Sequence, residues 1–197
     1  ATSVVDGDPH RLTFVPGDYP MPEDGLNIRL VDARIEQEAR LIDHKRFAAE
    51  AFANANRMDK RVWGKPGAKI GFVAAGKNWL DLVHALSLLN IDAEEAERLG
   101  LTTYKVGQTW PLDMKGFNAW AEGLDLIVVV EEKRKLLEVQ IKEAIFDNRQ
   151  GRRVYGGMKD GEVFFSAKWA LDPVEIATKL GQVLIDEGRN TDGIQAG

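Results

Sequence analysis

No cysteine occurs among the 197 residues. That excludes disulfides, a thiol nucleophile, Cys-held iron–sulfur clusters and Cys-based zinc sites from this chain. Without thiols the redox compartment goes undeclared, and a cytoplasmic location is the default expectation. A basic surplus is also missing. The net charge is -5 and the pI near 5.3, against the basic stripe or excess that nucleic-acid binders carry. Long apolar runs are absent as well. Leu126–Val130 is the longest, far short of the roughly 20 residues a bilayer span needs, so no membrane is expected. No signal-peptide pattern opens the chain. Its first residue is Ala and its opening is polar, as expected of a piece of something longer. Histidine is scarce: His10, His44 and His84 stand far apart, without metal-ligand spacing. Ser3, Ser87 and Ser166 lack a nucleophile-elbow context, and there is no G-x-G-x-x-G fingerprint.

What is present is a chain 44% hydrophobic, enough for one good core plus attached segments. Pro9, Pro16, Pro20 and Pro22 crowd the first 26 residues, which predicts an extended arm or linker over residues 1–35. A single α/β domain is expected over 36–188, its core at 68–188, with a loose tail at 189–197. Ala39, Ile42, Phe47, Ala51, Phe52 and Ala55 fall near helical spacing and predict a helix from Glu36 to Met58. The organising stretch is Lys69–Asp81. It reads as a buried strand, a turn at Gly76-Lys77, and a helix opening at Asn78 as N-cap, with Asp81 three residues on. Further strands are expected at Leu101–Val106 and Leu124–Val130, with weaker ones at 153–157 and 162–165. Helices are expected behind Asp92, Asp113, Glu131 and Asp172-Pro173. Strands alternating with helices predict a three-layer α/β/α sandwich around a mostly parallel sheet of about five strands.

Gly71-Phe-Val-Ala-Ala-Gly-Lys-Asn78 misses the phosphate-binding pattern G-x-x-x-x-G-K-[ST] at its last position. A self-standing nucleotide- or phosphate-binding module using this turn is the alternative function. The other reading is an ordinary strand–turn–helix. Glu131 and Glu132 suggest paired acid/base carboxylates, or acids that complement a helix dipole. In open parallel sheets ligands and partners meet the carboxyl ends of strands. Lys77, Thr109 and Glu131 each follow an expected strand. We therefore expect a polar contact edge built from Lys77, Asn78, Trp79, Thr109, Trp110, Glu131, Glu132 and Arg134. Trp63, Trp120 and Trp169 are expected in the core or as staples. Trp79 and Trp110, just past strand ends, would anchor a neighbour if exposed.

Several segments together resemble one family. They are Gly25-Leu-Asn-Ile-Arg29, Gln37-Glu-Ala-Arg-Leu41, Ala75-Gly-Lys-Asn-Trp-Leu-Asp81, Tyr104-Lys-Val-Gly107 with Trp110-Pro-Leu112, and Ala121-Glu-Gly-Leu124 followed by Val129-Val-Glu-Glu-Lys-Arg134. In order and spacing they are similar to the middle of the long, fused indolepyruvate ferredoxin oxidoreductases, across about residues 12–187. The resemblance implies a domain like the C-terminal domain of transketolase. The parent enzyme would convert aryl pyruvates to acyl-coenzyme A, with ferredoxin and coenzyme A as partners. It would use thiamine diphosphate, magnesium and iron–sulfur clusters. This segment lacks the family's thiamine motif, a Gly-Asp-Gly followed later by paired Asn, and Asp6-Gly7-Asp8 is not it, so no cofactor and no catalytic residue carries over. Gly156-Gly-Met-Lys159 and Ser166-Ala-Lys-Trp169 depart from the family pattern. A third reading is a free interaction protein that uses the proline-rich arm.

Overall fold

The computed structural model describes residues 6–13, 19–27, 31, 33–189 and 194. Expectations for residues 1–5, 14–18, 28–30, 32, 190–193 and 195–197 lie outside the described residues. Two compact units divide the chain, Ala1–Met58 and Asp59–Gly197.

In the first unit, helices α1 (Arg34–Arg40) and α2 (Arg46–Ala55) run into each other through a π-turn at Leu41–Lys45. Polar contacts tie the preceding segment to this helix. Arg40 donates to both Asp24 carboxylate oxygens (2.8 and 3.0 Å) and to the Gly25 carbonyl (2.8 Å). His44 Nδ1 lies 2.7 Å from the Pro20 carbonyl. Asn56 pairs with both the N–H and the C=O of Thr13. The helix that the sequence joins to the α/β domain is thus grouped with the proline-rich segment before it.

The second unit begins with β1 (Lys60–Arg61), a strand too short and too charged to show in the sequence. Then follow β2 (Ile70–Ala75), α3 (Gly76–Leu88), α4 (Ala93–Arg98), β3 (Leu101–Val106), α5 (Met114–Ala121) and β4 (Leu126–Val130). The chain continues through α6 (Leu137–Ile145), β5 (Arg153–Tyr155), the hairpin β6 (Met158–Lys159) and β7 (Glu162–Val163), and α7 (Pro173–Asp186). The main sheet has the order β1-β3-β2-β4-β5, parallel except for β1. This is the expected α/β architecture, with a different membership. The expected strand at 162–165 shrinks to two residues and pairs only within its hairpin, while β1 supplies the fifth strand.

β4 is buried at every position, because helices cover both faces of the sheet. Ile70, Phe72, Ala74, Leu126, Val128 and Val130 face one side, against α3, α4 and α7. Val73, Tyr104, Val106, Ile127 and Val129 face the other, against α5 and α6. The period of two in the strands decides which residue meets which layer. Ile194 is buried in the first of these cores, so the expected loose tail holds at least one packed residue.

Asp92, Asp113 and Asp172 cap α4, α5 and α7 as expected, accepting from Glu95, Gly116 and Val174 N–H respectively. Two expected helix starts are corrected. Asn78 is not an N-cap: α3 opens at Gly76, which turns the chain at φ 51, and Asn78 lies inside the first turn. Asp81 meets Lys77 one turn back instead of closing a capping box. The helix expected from Glu131 starts at Leu137, because residues 131–136 form a loop with Lys133 at φ 62.

A buried polar group on the α5 side was not foreseen from the sequence. Asp59 Oδ1 accepts from Gly107 N–H (2.7 Å) and Gln108 N–H (2.9 Å), while its Oδ2 is buried without a partner. Burial raises its pKa against the pull of the Gln108, Gly107 and Asp113 N–H groups, and the Asp113 carboxylate adds to the rise. An acid with a raised folded-state pKa weakens the fold as pH climbs from its unfolded value of 3.8 through the folded one. Asp59→Asn keeps the Oδ1 acceptor and removes the charge. It is expected to gain on the order of 1 kcal/mol relative to wild type at pH 7, and little at pH 4. Urea midpoints at the two pH values check this; an equal effect at both would refute it.

Candidate functional site: the carboxyl edge of the sheet

β2, β3 and β4 run parallel and in level register, Ala75 beside Val106 and Ala74 beside Val130. The segments that follow them therefore emerge along one edge. Lys77, Thr109 and Glu131 stand there, on adjacent strand ends and not on opposite sides of the sheet.

Lys77, Glu131 and Glu132 at this edge are already engaged within the chain. Lys77 Nζ donates to Asp81 Oδ2 (2.6 Å) and to the Leu171 carbonyl (3.4 Å), and lies 3.5 Å from Glu132 Oε2. The Asp81 hydrogen bond is the main cause of the raised Lys77 pKa. Glu132 Oε2 accepts from Leu171 N–H at 3.1 Å, which fastens the segment before α7 to the loop after β4. Glu131 accepts from the N–H groups of Leu136, Leu137 and Glu138, between 2.8 and 3.2 Å. It fills the place of an N-cap and neutralises the positive end of α6. The paired-carboxylate reading gives way to two separate structural roles.

The phosphate-loop reading meets a similar geometry. Gly71 lies within β2, and a Cβ there would sit 2.6 Å from the Trp120 ring. The glycine is required by an indole, and the four residues after it are strand.

Asn78 and Trp79 belong to the interior. Asn78 Oδ1 is buried without a partner, and Trp79 packs in the core shared by α3 and α7. Neither can present a surface here. Thr109 accepts through its carbonyl from Gln140 Nε2 (2.8 Å), and Gln140 Oε1 accepts from Leu112 N–H (3.0 Å), joining this turn to α6. Trp110 is 51% exposed, and Arg134 is exposed. Trp169, expected inside, is 80% exposed with a φ of 64. Leu80, Leu136, Val139 and Val174 are exposed as well. They lie in the first turns of α3, α6 and α7 or just before them, and so rim the same edge.

Glu138 was not singled out in the sequence, although it is among the most buried charges. It accepts from Gly157 N–H (2.7 Å) and from Lys142 Nζ (2.6 Å). A Cβ on Gly156 would come 2.5 Å from its Oε2. The Gly156-Gly157 pair was the signal that a side chain must pass close by. Among the described residues no three His, Asp or Glu side chains gather as a metal site.

Residues 60–197 match the family model described as indolepyruvate oxidoreductase domain. The chain is 28% identical over 95 residues to indolepyruvate oxidoreductase subunit IorA of Pyrococcus horikoshii, a match covering 48% of this chain and 14% of that subunit. Similar solved structures include a split gene transketolase in an inactive beta4 tetramer. It has a TM-score of 0.44 and 17% identity, covering 64% of this chain and 41% of that one. Another is a 2-oxoglutarate:ferredoxin oxidoreductase from Magnetococcus marinus with 2-oxoglutarate, coenzyme A and succinyl-CoA bound. It has a TM-score of 0.49 and 11% identity, covering 76% of this chain and 23% of that one. With the family model spanning all but the first residue of the sheet-bearing unit, the chain belongs to the indolepyruvate oxidoreductase domain family.

Proposed function

We propose that this chain is a non-catalytic, interdomain-packing domain of a thiamine diphosphate-dependent 2-oxo acid:ferredoxin oxidoreductase. That enzyme would convert indolepyruvate and related aryl pyruvates to acyl-coenzyme A in the cytoplasm. Thiamine diphosphate, magnesium and the iron–sulfur clusters would be held by the rest of the enzyme, which would also meet ferredoxin and coenzyme A. The residues present here do not fit those groups, since there is no cysteine and, among the described residues, no cluster of three metal-ligating side chains. No step of the reaction is assigned to this chain. Among the described residues no helix is long and apolar enough to cross a membrane.

The observation that carries the proposal is the character of the carboxyl edge. Lys77, Glu131 and Glu132 there bond within the chain, while its large apolar side chains, Trp110 and Trp169 above all, face outward. Tryptophan is a frequent interface anchor, and here neither ring belongs to the two buried clusters of the sheet. The paired substitution Trp110→Ala/Trp169→Ala is expected to leave the urea midpoint of the 197-residue chain nearly unchanged. In the complete enzyme it should lower turnover at least tenfold and speed release of this domain by limited proteolysis. Unaltered turnover and proteolysis would refute the docking role. Decarboxylation of indolepyruvate by the 197-residue chain alone would refute the non-catalytic one.

A further inference from the structure

The docking role leaves a charge pattern at the same edge unexplained, and the following inference rests on that role. The loop between β4 and α6 exposes Lys133, Arg134 and Lys135 in succession. The segment before α7 exposes Lys168 and Trp169. Glu132 joins these two stretches through its 3.1 Å bond to Leu171 N–H. Trp169 is two residues from Leu171, so no more than about 7 Å of chain separates it from that tie. Lys133 and Lys168 therefore flank the segment that carries the exposed indole, while Gln140 Nε2, which donates to both the Thr109 and the Leu136 carbonyls, brings the Trp110 turn to the other end of that loop.

The nearby acids keep their charge but are turned to other groups. Glu131 is spent on the α6 N–H groups, Glu132 on Leu171 and Lys77, and Asp172 on Val174 N–H. Among the described residues Lys133, Arg134 and Lys168 have no ion-pair partner, and Lys135 reaches only a 4.0 Å contact with Glu138. A group of exposed, unpaired cations in a chain of net charge -5 is a local feature and not a reflection of overall composition. Trp169 holds a backbone conformation that costs a bulky residue about 1 kcal/mol or more.

Two hollows, of about 330 and 410 Å³, lie elsewhere, at the far end of α6 around Ile145, Phe146 and Arg152. The patch is a surface and not a pocket, which disfavours a small nucleotide. Three or four cations in an acidic chain are also too few for a nucleic-acid or lipid surface. We infer that Lys133, Arg134 and Lys168, set around Trp110 and Trp169, dock an acidic protein segment of the remaining oxidoreductase. That segment would carry two or three Asp or Glu beside an apolar residue. Charge complementarity of this kind fixes orientation, and the two indoles supply most of the attraction.

Zero-length carbodiimide coupling of the complete enzyme, with peptide mapping, tests this. Lys133 or Lys168 should couple to Asp or Glu residues outside this chain. The substitution Arg134→Glu/Lys168→Glu should cut coupling through Lys133 at least tenfold. Tryptophan oxidation and lysine acetylation, compared between the complete enzyme and the 197-residue chain, separate this inference from the docking role beneath it. If both tryptophans are protected in the complete enzyme while Lys133 and Lys168 stay open to acetylation and uncoupled, the acidic partner is refuted and the docking edge stands. If the tryptophans react as fast as in the 197-residue chain, the docking edge itself is refuted. Coupling confined to this chain would overturn the inference. So would binding of the chain to phosphatidylserine vesicles without any coupling to protein acids.

Discussion

Gly71→Ala is expected to lower stability by about 2–3 kcal/mol, a large effect for the addition of one methyl group. Gly71 lies on β2, the middle strand, between Thr102 and Ile127. The new Cβ would sit 2.6 Å from the Trp120 ring and 2.7 Å from Leu124 Cδ1, both inside contact distance. Trp120 cannot swing away cheaply. Its Nε1 donates to Thr102 Oγ1 at 3.1 Å, and its ring packs 4.9 Å from that of Tyr104 and 5.6 Å from that of Phe117. Urea denaturation measures the loss. Should Gly71→Ala fail to fold, the Trp120→Leu background keeps the idea testable, because the smaller side chain leaves room and the double variant should fold. Where all variants fold, the cost of the alanine should be at least about 1 kcal/mol smaller when Trp120→Leu is also present. A cost that does not depend on the side chain at this position would contradict the steric account.

The second large effect belongs to Glu138→Ala, for which a loss of about 2–3 kcal/mol at pH 7 is expected. The carboxylate is almost fully buried, and its removal strands the Gly157 N–H and leaves a void under the glycine pair. Lys142 contributes less to the loss, since its half-exposed ammonium can rehydrate. Glu138→Gln retains an acceptor and should cost about 1 kcal/mol. Burial pushes the Glu138 pKa up, but the Lys142 hydrogen bond and the Gly157 N–H outweigh it, and the net shift is downward. Stabilisation from a depressed acid is complete above its unfolded value of 4.5 and fades as pH falls through the folded one. The gap between wild type and Glu138→Gln should therefore narrow below pH 4.5. Urea midpoints at pH 7 and pH 3.5 read it directly, and a gap that widens on acidification would overturn the assignment.

Glu138 also illustrates where the sequence runs out. Its worth comes from Gly157, nineteen positions away, and nothing in the local pattern of α6 marks it apart from other helical acids. Trp169 is the converse case. Its size argued for the core, yet the loop fastened by Glu132 and Leu171 turns it outward. Trp79 reverses the expectation again: just past a strand end, it packs inward on a helix that begins three residues earlier than the capping pattern at Asn78 suggested. Lys60–Arg61 could not be read as a strand, since two charged residues at a sheet edge carry neither alternation nor length.

The sequence by itself determined the α/β class, the three central strands, and the helices opened by Asp92, Asp113 and Asp172, because apolar periodicity and a capping side chain act within a few residues. The family was legible in the same way, from motifs spread along the chain. Only the tertiary structure decided what Lys77, Glu131 and Glu132 do. Level parallel strands bring their ends together, and whether a charge is spent on a helix end, a neighbouring strap or open solvent depends on groups distant in sequence. Local spacing sets the elements; partners across the fold set the chemistry left over at its edge.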